Sequence, residues 1–365
     1  MKAVFRLVLI LLCMVPRTSV SQETFKNPVI DHNCPDPTVL DDRARTGWFY
    51  AYSTASGRAE CTGDPRARGR VDLPVYRSKD MVNWEFVCDG FEGVGMPSWR
   101  SGSRLWAPDI NYVDGHYVLY YALGVWGDLI ASASGVAVSD SPTGPFIDHG
   151  LLVDFETVGV KNSIDPNLFV DHGKKYLIWG SLGGGSGVWG IRLSKDGLSI
   201  KKGAKPVQLG ADNMEGAYMI RRGRWCYLFT SRGSCCEGAR STYHVLVSRS
   251  RKPLGKFVGR EGESLLAHDY PNVILSGTAD SLFVGTGHNA QIIKDDSGQD
   301  WMYYHAFWRE NGYKGRVMNL DRIVWSDDGW PSFPCGHPTT EQQKPVVKKQ
   351  NDMSGATRRK PVVKK

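Results

Sequence analysis

Beyond its first 22 residues the chain has no apolar run approaching the ~20 residues that a membrane-crossing helix requires, so no transmembrane anchor is predicted. It also has no Cys-x-x-Cys pair, which leaves zinc-knuckle and dithiol redox chemistry without a ligand set. Long amphipathic helical periodicity is scarce, and no linker-like stretch interrupts the middle of the sequence, so one large domain is expected. Surplus charge is missing from that middle as well. Residues 336–365 hold eight Lys/Arg against two acids and residues 1–22 add three cations, so the formal +7 leaves the remainder near −2. The basic balance therefore belongs to the ends and gives no reason to expect a nucleic-acid partner.

The two ends read as separate from the fold. Lys2 and Arg6 precede an apolar stretch over 7–15, and Ser19-Val20-Ser21 supplies small residues before Gln22, the layout of a secretory signal peptide over 1–21. Cys13 follows Leu12 rather than a small residue, which argues against a lipoprotein signal. At the other end Lys-Pro-Val-Val-Lys-Lys occurs at 344–349 and again at 360–365. Residues 336–365 are thus expected to form a basic, solvated, disordered tail. Export then leaves seven cysteines, an odd number, whose pairing the spacing leaves open.

What is present between the ends is a repeat. Five short apolar segments open with a polar residue, at Asp36, Asp109, Asp165, Glu215 and His288, and each runs through a glycine turn into an aromatic-rich strand. Each aromatic strand is followed by an apolar run that ends in serine, at Ser78, Ser139, Ser194, Ser248 and Ser326. These serines are 61, 55, 54 and 78 residues apart, which suits four strands plus turns per unit. The expected fold is therefore all-β, a five-bladed β-propeller over 22–335, with the opening polar residues converging on the axis. Tyr50, Tyr121 and Tyr227, inside the aromatic strands, are expected in the core.

The openings carry a finer pattern. Asn33-Cys34-Pro35-Asp36-Pro37, Trp106-Ala107-Pro108-Asp109-Ile110, Ser163-Ile164-Asp165-Pro166-Asn167, Met214-Glu215-Gly216-Ala217-Tyr218 and Gly287-His288-Asn289 resemble the ordered motifs of glycoside hydrolase family 43. The segment from Leu228 through Cys235-Cys236-Glu237-Gly238 to Ser241-Thr242-Tyr243 is similar to endo-1,5-α-L-arabinanases. In contrast, Tyr304-His305-Ala306-Phe307-Trp308 and the run from Met318 to Ile323 are closer to exo-acting arabinofuranosidases and xylosidases.

The resemblance implies an exported, monomeric, inverting hydrolase whose partner is plant cell-wall polysaccharide, α-1,5-linked L-arabinan first. Inversion needs one carboxylate to activate water and one carboxylic acid to protonate the leaving oxygen, roughly 6.5–9.5 Å apart. Matched position by position, Asp36 is the expected general base, Glu215 the general acid, and Asp165 the carboxylate that orients the acid and raises its pKa. The same matching makes Asp109 a structural or substrate-side group and Arg316 the arginine holding hydroxyls or Glu215, while the need of a sugar for flat apolar faces with polar rims puts Trp106, and Ser181 after Trp179-Gly180, against the substrate. The matching also puts His288 beside one Ca²⁺ on the axis; no organic cofactor is expected. Two other readings stay open at this point: an exo-acting α-L-arabinofuranosidase or β-xylosidase, and a propeller that binds glycans without cutting them. A fructan-active enzyme is disfavoured, because the Trp-Met-Asn-Asp-Pro and Arg-Asp-Pro signatures are missing.

Overall fold

The computed structural model describes residues 23–277 and 281–348. The expected signal peptide at 1–21 and the second basic repeat at 360–365 lie outside the described residues. Five antiparallel sheets follow one another along the chain. Blade one contains Thr38–Asp41, Phe49–Tyr52, Pro74–Ser78 and Trp84–Asp89; blade two contains Arg104–Val113, His116–Gly124, Ala133–Ser139 and Ile147–Val153. Blade three is built from Asn167–Asp171, Lys174–Trp179, Trp189–Arg192 and Val207–Gln208, and blade four from Glu215–Arg222, Trp225–Arg232, His244–Ser250 and Val273–Ser276. In blade five the first strand comes in two pieces, Phe283–Gly287 and Ile292–Lys294, both paired with Asp300–Trp308, and Arg316–Trp325 and Pro331–Ser332 complete it. This is the five-bladed propeller that the repeat predicts.

Local sequence explains the hairpins. Asp114-Gly115 and His172-Gly173, each with both residues at positive φ, join the first two strands of blades two and three. Two such residues give a turn whose twist matches that of the flanking strands. The repeated serines sit at or just past the third strand. Ser78, Ser194 and Ser326 donate to Asp80, Asp196 and Asp328 two residues on, tightening the turn to the fourth strand.

The apolar residues form five clusters, each spanning two neighbouring blades. One holds Tyr52, Leu73 and Phe146 between blades one and two, another Phe169, Leu209 and Met219 between blades three and four. Tyr50, Tyr121 and Tyr227 are buried as expected. Between the first strands a narrow central space is lined by Pro37, Asp109, Asp165, Ala217 and Gln291, one residue from each blade. The strand openings therefore do meet on the axis.

Ring closure corrects the boundary expected at 335. Glu341–Gln343 pairs antiparallel with Thr24–Lys26, so part of the basic stretch is a strand of the fold. Asn27 spans the seam, its Oδ1 accepting from the Leu320 N–H at 2.9 Å and its amide donating to the Leu320 and Thr339 carbonyls at 3.0 Å. Buried Asp321, pushed up to about 6 by burial against several hydrogen bonds, accepts from Thr339 Oγ1 at 2.5 Å and Gln342 Nε2 at 2.9 Å. A three-residue polar strand has no hydrophobic alternation to betray it. A chain ending at residue 335 should melt about 5 °C or more below one ending at 348, because buried Asp321 loses three donors, from Thr339 and Gln342, at roughly 1–3 kcal/mol. Differential scanning fluorimetry of the two chains checks this; equal melting temperatures would show that the closing strand is dispensable.

Candidate active site

At Asp36, Asp165 and His288 the backbone takes φ of 50°, 55° and 44°. Such left-handed conformations cost a non-glycine residue roughly 1–3 kcal/mol and persist where the surroundings hold them. Asp36 and Asp165 lie two residues ahead of the first strands of blades one and three, and His288 lies between the two pieces of the first strand of blade five. Glu215 is itself the first residue of blade four, followed by Gly216 at φ 59° and a register shift before Tyr218. All four side chains line one cavity of about 440 Å³, together with Thr54, Trp106, Trp126, Ser181, Tyr243 and Arg316. That volume is in the range of small-molecule sites.

Asp36 is held from four sides. Arg316 Nη1 donates to Oδ1 at 2.7 Å, and Thr54 Oγ1 donates to Oδ2 at 2.6 Å. Thr54 Oγ1 also accepts the Ala107 N–H at 2.8 Å, which aims the hydroxyl proton toward Asp36. The Asp36 N–H donates to His305 Nδ1 at 3.1 Å, and His288 Nδ1 lies 3.5 Å from Oδ1. Burial by itself would push this carboxyl up, but Arg316, His288 and His305 outweigh it and hold it well below the usual range. Asp36 is thus an ionised carboxylate.

Asp165 and Glu215 behave oppositely. Burial, then the charges of Glu215 and Asp36, hold Asp165 well above the usual range, although the Gly216 N–H donates to its Oδ2 at 3.1 Å. Glu215 is also raised, by burial first, against hydrogen bonds from Ser181 and Tyr243. The two are coupled, so the pair as a whole retains a proton where Asp36 has lost its own. One ionised carboxylate beside a proton-bearing pair is the division of labour that acid–base hydrolysis needs.

Other expected site residues fall into place unevenly. Trp106 lines the cavity, its indole lying over Gly124, where a Cβ would come within 1.8 Å of the ring. Ser181 lines the cavity and donates to Glu215. Arg316, expected at Glu215 or at substrate hydroxyls, instead grips Asp36. Asp109, expected as a structural or substrate-side group, lies away from the cavity. It is 4% exposed, and its carboxylate accepts from the Leu168 N–H at 2.7 Å, Asn111 at 2.8 Å and Gln291 at 3.0 Å, tying three blades together beneath the site. Those bonds, and burial that pushes it up to about 6, make it a structural link.

Three further groups carried no assignment in the sequence. His305 is fully buried, stacks on Tyr243 at 5.6 Å between ring centroids and meets Asp36. Tyr243 bonds Glu215, so the two rings bridge Asp36 and Glu215. Trp126 is 78% exposed and stands edge-on to Trp106 at the cavity. Tyr243 and His305 lie inside motifs that carry the family resemblance, which was the available signal; Trp126 lies outside them.

The donor set around His288 does not fit a calcium ion caged by protein. Calcium takes six to eight oxygen ligands, and among the described residues no three His, Cys, Asp or Glu are grouped to hold a metal. The nearest carboxylates, on Asp36 and Asp165, are already engaged by Arg316, Thr54 and Gly216.

The family model described as "Glycosyl hydrolases family 43" matches residues 25–331. An extracellular exo-α-(1→5)-L-arabinofuranosidase of Cellvibrio japonicus is 30% identical over 293 residues, covering 71% of this chain and 79% of that protein. An extracellular endo-α-(1→5)-L-arabinanase of Bacillus subtilis is 30% identical over 316 residues, covering 82% and 87%. Among solved structures, the Cellvibrio cellulosa α-L-arabinanase complexed with arabinohexaose superposes with a TM-score of 0.70 at 25% identity, covering 82% of this chain and 95% of that one. An exo-1,5-α-L-arabinanase from a bovine ruminal metagenomic library gives 0.69 at 27% identity, covering 85% and 99%.

The arrangement makes one residue diagnostic. Arg316→Met removes the cation beside Asp36, so burial dominates and the acidic limb of the kcat/KM–pH profile should move up by about one to three units. The alkaline limb, set by the coupled pair, should move less. A pH–rate series checks this, and an acidic limb left in place would separate Arg316 from the ionisation of Asp36.

Proposed function

The chain belongs to glycosyl hydrolases family 43 and is a glycoside hydrolase of its arabinanase and arabinofuranosidase group, and on that premise we propose that it cleaves α-1,5-linked L-arabinan with inversion. The observation that carries the proposal is the split in the cavity: Asp36 held ionised, Asp165 and Glu215 held above the usual range. Asp36 is the general base. Its Oδ1 and Oδ2 are fixed by Arg316 and Thr54, so it takes a proton from water without turning away. Glu215 is the general acid, steadied by Ser181 and Tyr243, and delivers its proton to the departing glycosidic oxygen. Asp165, bonded to the Gly216 N–H next to Glu215, keeps that proton in the pair until the bond breaks. Trp106 offers an apolar face for the reacting sugar.

The enzyme acts as an exported monomer. In support of export, both relatives named above are extracellular, and no helix among the described residues is long and apolar enough to cross a membrane. The calcium expectation carries forward only as a mostly hydrated ion touching His288. Prolonged chelation should then lower activity or melting temperature, and indifference to it removes the metal.

Endo cleavage is the first reading, from the segment ending at Tyr243 and the Bacillus subtilis relative. An exo mode is favoured by the Cellvibrio japonicus relative and the blade-five motifs. Products from linear arabinan decide: early mixed oligomers mean internal cleavage, arabinose alone means end cleavage. Proton NMR of the first-formed anomer tests inversion. Glu215→Ala should lose about 10²–10⁴-fold on arabinan and far less on an aryl arabinofuranoside, whose leaving group needs little protonation; equal losses on both would contradict the acid assignment.

A further inference from the structure

Cys235 and Cys236, adjacent in sequence, form a disulfide, while Cys34, Cys61, Cys88, Cys226 and Cys335 are free thiols. Both bridged cysteines line the cavity that contains Asp36 and Glu215, and Cys236 is exposed. Their place follows from the strand register. Glu215 lies opposite Ser231 in blade four, and the chain leaves that strand after Arg232. The return to His244 carries the disulfide and ends on Tyr243, which bonds Glu215.

The return is braced independently of the bridge. Ser234 N–H donates to Thr242 Oγ1 at 3.1 Å, Tyr243 N–H to the Ser234 carbonyl at 3.2 Å, and Glu237 N–H to Ser241 Oγ at 2.8 Å. Gly233, at φ 100°, passes so close that a Cβ would meet the Thr242 carbonyl at 2.6 Å. With that bracing the bridge is not needed merely to hold the loop. What it changes is the surface. A disulfide has no proton to donate and no charge to acquire, and its sulfurs are polarizable and apolar. A fused pair of residues also has little freedom left to lose when a ligand arrives.

We propose that the Cys235–Cys236 disulfide is the apolar contact for the sugar ring on the leaving-group side of the scissile bond. The assignment rests on the hydrolase reading above and deepens it. Glu215 protonates the departing oxygen, so the departing ring lies on the acid's side, and the disulfide is on the same blade, in the loop that continues from the strand beside Glu215. The aromatic wall of Trp106 and Trp126 comes from blade two, with blade three between.

The test compares substrates that differ only in what departs. Cys235→Ser/Cys236→Ser should raise KM on α-1,5-arabinotriose about five- to tenfold with kcat within about twofold. On α-L-arabinofuranosyl fluoride, whose leaving group has no ring, the loss in kcat/KM should be at least fivefold smaller. Reducing the unaltered enzyme with dithiothreitol should reproduce the change; the S–S bond takes two electrons and two protons to give two thiols as the reagent closes its own disulfide, and reoxidation should restore KM. This second measurement covers a double variant that folds poorly. Equal losses on both substrates, or an unchanged KM on arabinotriose after reduction, would overturn the proposal while leaving the arabinan reading intact. An unaltered enzyme inactive on both substrates would bring down that reading and the proposal with it.

Discussion

The ion pair between Arg316 and Asp36 crosses the seam where the ring of blades closes, and the rest of the site depends on it. Three buried carboxyl groups in one cavity repel one another, and burial pushes each toward its neutral form. Only Asp36 has a guanidinium at 2.7 Å, so Asp36 is the group held below the usual range, and its charge in turn helps to keep a proton on the Asp165–Glu215 pair. The pair forms only if blade five meets blade one. That meeting is secured by Asn27 across Leu320, by Gln291 accepting from the Val39 N–H, and by Tyr303 donating to the Met81 carbonyl. Stability of the ring and asymmetry of the acids are therefore one problem with one solution.

Much of this was legible in the sequence because it repeats. A blade must join four strands through tight turns, so its punctuation recurs, and five recurrences announce five blades. The polar opening of each unit falls on or beside the first strand, and at Asp36, Asp165, Glu215 and His288 it also marks the cavity. Asp109 shows the limit of that inference. It has the same place in the repeat, yet it lies inside its strand, just past a register shift between Trp106 and Asp109, and its carboxylate turns to the Leu168 N–H rather than to the cavity. Position in a repeat fixes the strand but not which way a displaced residue points.

What was not legible depends on partners distant in sequence. Thr54, His305 and Tyr243 matter through Asp36 and Glu215, which they reach from other strands or other blades, and no spacing rule ties them together. The closing strand at Glu341–Gln343 was masked by its setting in a lysine-rich stretch. Charge composition described the side chains facing water and missed the backbone, which pairs with Thr24–Lys26 regardless.

The left-handed backbone at Asp36 and Asp165 bears on how the enzyme could be frozen with substrate in place. Asparagine tolerates that conformation nearly as well as aspartate, whereas alanine does not. Amide replacements at these two positions therefore preserve the loop geometry while removing the ionisable group, and they are the sounder choice for crystallising a trapped oligosaccharide complex.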